Sequence, residues 1–162
     1  MKGQQNNKVY TIEIPEEELS IHETICDSDY AIVVRNDALL DLDSIQKAVF
    51  GWTCRVQIGY INCNEDNFPL HEDREDSSDF IDAISIGLKG NPEHPNGVYI
   101  GKIISNGQCD AVWQLNNPEL AANYLDRVIN SGNYPIGGIE YNIECDPSWN
   151  SIQFYFQDFR NQ

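Results

Sequence analysis

Residues 98–115 read VYIGKIISNGQCDAVWQL, and this stretch decides the fold because it predicts a β-hairpin. Asn106-Gly107 supplies the two residues with positive φ that a type I′ turn requires. The runs on either side of the turn, 98–105 and 108–115, are therefore interpreted as the two strands. Gly101 lies inside the first strand, where a glycine indicates a bulge or the close approach of another backbone.

A strand and a helix precede the hairpin. Apolar and polar residues alternate over 52–61, which indicates a strand with one buried face. A polar, acidic connection follows at 62–76. Apolar residues then recur on one face at helical spacing, which predicts a helix over about 77–88.

A helix and a strand follow the hairpin. Asn117-Pro118-Glu119 is typical of a helix start, with a capping residue, a proline in the first turn and an acid beside it. Gly132 is expected to end this helix. The last strand is predicted at 139–145, with its apolar residues on one side and Glu140, Asn142 and Glu144 on the other.

The order of these elements is βαββαβ, which predicts an α+β fold of the ferredoxin-like type. Right-handed crossovers would place both helices on one face of an antiparallel sheet. The first strand of the unit is then central and lies between the third and fourth strands. The apolar sides of strands and helices are expected to form one core under the helices.

The whole chain, 1–162, is predicted to be a single domain. Its βαββαβ core occupies 51–146, and an N-terminal β extension occupies 1–50. An aromatic tail at 147–162 is expected to pack back on the domain. Inside the extension, the sequence predicts two strands that extend the sheet and one short helix, at 9–14, 30–34 and 43–50.

The sheet face opposite the helices is predicted to be open, polar and rich in acids. Arg55 is the only cation at its centre, and Trp149 follows a turn signal that makes it a surface anchor or a plug at the sheet end. A solvated face with weak cross-strand ion pairs would explain the same pattern. The candidate binding residues are Arg55, Asp110, Glu140, Glu144 and Trp149.

The charge balance favours some partners over others. The chain has 26 acidic and 10 basic residues, which give a formal net charge of -16. Such a field repels phosphate backbones and anionic lipids, so we expect neither nucleic-acid nor membrane binding. It attracts cationic partners such as a basic protein, although solubility alone also explains an acidic composition.

The five cysteines predict a reducing compartment. Their number is odd and they form no CxxC pair, so a disulfide framework is not expected. Cys54, Cys109 and Cys145 fall on apolar positions of predicted strands, where a thiol behaves as a small apolar group. The first ten residues are polar and lack an apolar leader segment, which favours a cytoplasmic protein.

One acidic cluster raises the alternative of a metal site. Carboxylates and one imidazole suit hard or borderline cations, but the spacing matches neither an EF-hand loop nor HExxH. The candidate ligands are Glu65, Asp66, His71, Glu72 and Asp73. The three histidines are scattered, and GxGxxG and P-loop motifs are absent, so the sequence assigns no catalytic residue and no cofactor.

Several motifs, taken with their order along the chain, resemble those of a bacterial family, domain-of-unknown-function family 695. The resemblance covers about 28–157 and is carried by Trp52, Asn67-Phe68-Pro69, Gly101 with Asn106-Gly107, Asn117-Pro118-Glu119 and Asp146-Pro147-Ser148-Trp149. Two departures are Asn67, where a glycine is expected, and Ala111-Val112-Trp113, where aromatic residues usually follow the turn.

The resemblance implies a fold similar to acidic, ferredoxin-like inhibitors of the RNA-degrading endonuclease ribonuclease E. It carries over no catalytic residue. We therefore expect a non-enzymatic regulatory or inhibitory module that binds a basic protein surface. The alternatives are a metal-dependent hydrolase built on the acidic cluster, and a small-ligand or self-association module that uses the sheet face and Trp149.

Overall fold

The computed structural model describes residues 13–159 and has an α+β architecture built on a six-stranded antiparallel sheet. The strand order across the sheet is β1-β2-β4-β5-β3-β6. The strands are β1 Leu19–Cys26, β2 Asp29–Asn36, β3 Trp52–Gly59, β4 Gly97–Ser105, β5 Gln108–Leu115 and β6 Gly138–Cys145. The helices are α1 Ser44–Val49, α2 His71–Lys89 and α3 Pro118–Ser131, with 3₁₀ turns at Asp37–Leu39 and Asn150–Phe156.

The predicted hairpin is confirmed. β4 pairs with β5 up to the turn, where Asn106 has φ 47° and Gly107 has φ 73°. The register shifts between Tyr99 and Gly101, so Gly101 marks a bulge. A Cβ atom on Gly101 would lie 2.1 Å from the Val34 carbonyl oxygen of β2, so this glycine also permits a close backbone approach.

Two further strands, β1 and β2, extend the sheet beyond β4, so the sheet extension predicted for the N-terminal part of the chain is present. β2 contains the predicted strand at 30–34, whereas β1 has no counterpart in the sequence analysis. Of the strand predicted at 9–14, residues 9–12 lie outside the described part of the chain. Glu13 and Ile14 belong to no strand, so that part of the prediction is wrong.

Helices α2 and α3 cover one face of the sheet. Ile81 and Leu88 of α2 and Leu125 of α3 are buried in the same core cluster as the strand residues. The alternation predicted for the first strand is confirmed, because Cys54, Val56 and Ile58 are fully buried there.

The second face of the sheet is not open over its whole width, which corrects the sequence prediction. A C-terminal strap, residues 146–159, packs on it and forms a second core cluster. The reason is that β4 and β5 carry apolar residues on this face as well, and the aromatic tail removes them from water. The buried members of this cluster are Val33, Leu39, Phe50, Val98, Ile100, Val112, Trp149, Ile152, Tyr155 and Phe159.

Helix α2 begins at His71, six residues before the start predicted at about 77. The Asp73 carboxylate in its first turn accepts hydrogen bonds from the backbone amides of Ile61 (3.2 Å) and Asn62 (2.8 Å). Acids near a helix N-terminus are also favoured by the helix dipole. The acids at 72–76 therefore belong to the helix and not to the preceding connection.

The cysteines are all free among the described residues. Cys54 and Cys109 are buried as predicted, and burial raises the pKa of Cys54 to about 12 and of Cys109 to about 11. Cys145 is exposed, so its predicted buried position is wrong; it is the last residue of β6, at the border of the sheet. Within residues 13–159, no helix combines the length and apolar character needed to cross a membrane.

The close approach at Gly101 generates a stability prediction. Gly101→Ala is expected to lower the free energy of unfolding by about 3 kcal/mol, because the new methyl group would force β2 and β4 apart. Gly138→Ala is the matched control, since no atom lies within 4 Å of a Cβ at that strand glycine; its change should stay within about 0.5 kcal/mol. Urea unfolding of both variants measures the difference, and equal midpoints would contradict it.

Candidate protein-binding surface

Strand β3 aligns the predicted surface residues on the second face of the sheet. Gln57 lies opposite Asp110 on β5 and opposite Glu140 on β6. Arg55 lies opposite Asn142 of β6. Because directly opposite residues of antiparallel strands share a face, these side chains lie together. We call this set the acid-rich strip: Arg55, Gln57, Asp110, Glu140, Asn142 and Glu144.

The acid-rich strip is accessible and carries a net negative charge. Glu140 and Glu144 are exposed, and Asp110 is half-buried. Three carboxylates thus stand against the single guanidinium of Arg55. Within residues 13–159, the ion pairs Arg35–Asp37 and Lys89–Glu17 and the contact between His71 and Glu75 all lie elsewhere in the molecule.

Arg55 is directed toward the strap. Its Nη2 atom donates a hydrogen bond to the Ser151 carbonyl oxygen at 2.6 Å. Burial raises the pKa of the Asp110 carboxyl, and the charge of Arg55 offsets this only in part. Within the described part of the chain, the Asp110 carboxylate has no hydrogen bond and no ion pair, and only its backbone carbonyl accepts a bond, from Tyr155.

A groove of about 640 Å³ adjoins the strip near the hairpin turn. Asp110 and Gln57 form its border with the strip, and two more acids line it, Asp27 from the turn between β1 and β2 and Asp29 from the start of β2. The thiol of Cys26 also lines it, and burial together with Asp27 raises the pKa of that thiol. Such a thiol stays protonated and is a weak nucleophile.

Trp149 is a core residue, which excludes the surface anchor and leaves the other interpretation of the sequence, a plug at the sheet end. It is fully buried, and its Nε1 atom donates to the carbonyl oxygens of Lys47 (3.0 Å) and Phe50 (2.9 Å). These bonds tie the start of the strap to the end of α1. The indole therefore stabilises the strap and is not available to a partner.

Asp146 anchors the strap to the sheet. Its carboxylate accepts hydrogen bonds from the Thr53 hydroxyl, the Ser151 hydroxyl and the backbone amides of Asn150 and Ser151. Burial alone would raise the pKa of Asp146, but these hydrogen bonds outweigh it and hold the pKa below its ordinary value. The strap edge that borders the acid-rich strip is thereby fixed.

The predicted metal ligands do not form a cluster. Glu65 and Asp66 lie in the exposed loop before α2, whereas His71 pairs with Glu75 at 3.0 Å and Asp73 binds backbone amides. Across residues 13–159, no three His, Cys, Asp or Glu side chains are placed to hold a metal ion. The hydrolase alternative stays a prediction without geometric support.

Part of the surface could not be found from the sequence. Asp27, Asp29, Phe154 and Gln157 line the groove, but they belong to the β1–β2 turn, to the first residue of β2 and to the strap. No local pattern marks them, because only the packing of the strap and the pairing of β2 with β4 bring them beside Asp110.

Comparison with known proteins gives one match. Residues 27–158 match the family described as "Family of unknown function (DUF695)". No curated protein and no solved structure matches the chain significantly. The match includes the strands that form the acid-rich strip and most of the strap beside it, and it begins one residue after β1 ends.

Asp146 generates a prediction with a defined pH dependence. Asp146→Asn is expected to lower the free energy of unfolding by about 1–3 kcal/mol at pH 7, because charged hydrogen bonds are lost. Since the folded-state pKa lies below the ordinary 3.8, the stabilisation is complete above pH 3.8 and disappears as the pH falls through the folded-state value. Chemical unfolding from pH 7 to pH 2.5 measures this; a constant difference across that range would contradict it.

Asp110 should behave in the opposite way. Its raised pKa means that the folded state binds a proton more tightly than the unfolded state, so the charged carboxylate lowers stability above pH 3.8. Asp110→Asn is expected to raise the free energy of unfolding at pH 7 by on the order of 0.5 kcal/mol. The gain should shrink as the pH falls toward 3.8 in thermal unfolding, and a loss of stability at pH 7 would be the contrary result.

Proposed function

We propose that this chain, which belongs to the Family of unknown function (DUF695), is a non-enzymatic regulatory or inhibitory module that binds a basic surface of a partner protein. The acid-rich strip is the proposed contact. The observation that carries the proposal is Asp110, a half-buried carboxylate with a raised pKa and no ion-pair or hydrogen-bond partner within residues 13–159.

A lysine or arginine from a partner would satisfy this carboxylate. Taking a charged carboxylate out of water is unfavourable unless an opposite charge or a donor compensates. A partner cation beside Asp110 would supply that charge and lower the pKa of the carboxyl. Glu140 and Glu144 lie on the same face and extend the negative surface along β6.

The net charge of the whole molecule also favours a positively charged partner. A net charge of -16 attracts cationic proteins over a distance and accelerates their encounter with the strip. Such an interaction weakens as salt screens the charges. Nucleic acid and anionic membranes would be repelled by the same field.

Two finer interpretations accompany the proposal. We interpret residues 52–145 as a ferredoxin-like βαββαβ unit, and the partial order β4-β5-β3-β6 supports this interpretation. We also propose a cytoplasmic location for the module. The free cysteines of the described residues support it, because free thiols are typical of reducing compartments.

Charge neutralisation tests the proposed contact. A triple variant of the strip (Asp110→Asn, Glu140→Gln, Glu144→Gln) is expected to bind an octalysine peptide about tenfold more weakly than the wild type at low salt. Three weak ion pairs of about 0.5 kcal/mol each give that factor. Fluorescence anisotropy of a labelled peptide measures the affinity, and circular dichroism confirms that each variant is folded.

A matched triple variant separates the strip from net charge alone. Glu72→Gln, Asp79→Asn and Asp82→Asn remove three exposed acids of α2 and change the charge by the same amount. This control should lose no more than about threefold in affinity. Equal weakening in both triple variants would refute the strip as the binding surface. Captured lysate proteins that the control retains and the strip variant loses would identify the natural partner.

A further inference from the structure

β6 is an end strand of the sheet. It pairs with β3 through all eight of its residues, without a bulge, and within residues 13–159 no strand pairs with its other side. An end strand presents unpaired backbone N–H and C=O groups, which can pair with an added strand. The same strand carries Glu140 and Glu144 of the acid-rich strip.

The residues whose backbone groups point outward can be identified. The Asp146 amide donates to the Gly51 carbonyl at 2.7 Å, which continues the register of β3 with β6. Hydrogen-bonded pairs alternate along an antiparallel ladder, so the even-numbered residues of β6 bond to β3. Ile139, Tyr141 and Ile143 therefore direct their backbone groups away from the sheet.

We infer that the basic partner binds by adding a β-strand to this free edge of β6, an inference that rests on the proposed function. The added strand forms backbone hydrogen bonds to Ile139, Tyr141 and Ile143. Its side chains opposite Glu140 and Glu144 lie on the side of the acid-rich strip. Basic residues at these two positions complete ion pairs across the strands.

The charges of β6 disfavour one antiparallel pairing with a second copy of the chain. Natural sheets protect their edges with charged residues, prolines, bulges or short strands. β6 has no proline and no bulge, and its only charged residues are Glu140 and Glu144. Antiparallel pairing of two copies centred on Asn142 would place Glu140 opposite Glu144, and like charges directly opposite are destabilising. The same acids attract a basic strand.

The geometry specifies the pattern of the partner segment. Residues opposite Glu140 and Glu144 occupy non-hydrogen-bonded positions, where side chains on paired strands come closest. The intervening partner residues lie opposite Ile139, Tyr141 and Ile143, which are half-buried and pack against the core under the helices. The partner segment is thus extended and alternates basic with apolar residues, and two of its basic residues are four positions apart.

N-methylated peptides test the strand addition without changing charge. The probe is an octapeptide of alternating lysine and valine, capped at both ends. Methyl groups on the valine nitrogens, which face β6, should weaken binding at least about tenfold, the effect of one or two lost hydrogen bonds. Methyl groups on the backbone nitrogens of the lysines point away from β6 and should change the affinity by no more than about threefold.

Several outcomes would overturn the inference. Equal affinities of the two methylated peptides, whether both strong or both weak, would exclude strand addition. Failure of the unmodified peptide to bind at about 1 mM would do so as well. Amide hydrogen exchange gives an independent measure: the peptide should slow exchange at Ile139, Tyr141 and Ile143 more than at Glu140 and Asn142. Protection confined to another strand would contradict the inference.

The triple variant of the strip separates this inference from the proposed function. If both methylated peptides bind alike but the strip variant still binds octalysine weakly, the proposed contact stands and strand addition is wrong. If the strip variant binds octalysine as well as the wild type, the proposed contact itself is wrong. The two failures therefore give different results.

Discussion

The register of β3 between β5 and β6 is the constraint on which both the core and the acid-rich strip depend. One side of β3 places Cys54, Val56 and Ile58 in the core under α2 and α3, where each is fully buried. The other side places Arg55 and Gln57 among the acids of the neighbouring strands. A shift of β3 by one residue would move Arg55 and Gln57 into the core and Cys54, Val56 and Ile58 into water, so the buried side fixes the position of the polar one.

The strap divides the second face of the sheet into a covered part and an accessible part. Its aromatic residues bury the apolar side chains of β4 and β5, and the strip lies beside this cover. Two aspartates on this face, Asp146 and Asp110, have opposite surroundings. Asp146 lies under a set of hydrogen-bond donors that stabilise its charge, whereas Asp110 is half-buried with its carboxylate unpaired among the described residues. Because Asp110 has no such donors in the described part of the chain, we propose that a basic partner supplies its compensating charge.

The two borders of the sheet differ in chemistry. β1 exposes apolar side chains such as Ile21 and Ile25, and it lies just before the part of the chain that matches the family. β6 alternates half-buried apolar residues with exposed polar ones, and its acids belong to the strip. Among the strands of residues 13–159, only β6 therefore joins a free backbone edge to the surface that carries the proposed function.

Much of the fold follows from local sequence. The Asn106-Gly107 turn, the alternation along β3 and the start of α3 at Asn117 are set by backbone conformation and by the period of apolar residues, which neighbouring residues determine. The placement of Arg55, Asp110, Glu140 and Glu144 on one face also followed from these patterns. Tertiary structure decided the addition of β1, the burial of Trp149 and the groove beside Asp110. Those features depend on contacts such as the bond from Trp149 to the Lys47 carbonyl, between residues 102 positions apart, and no local pattern encodes a contact at that separation.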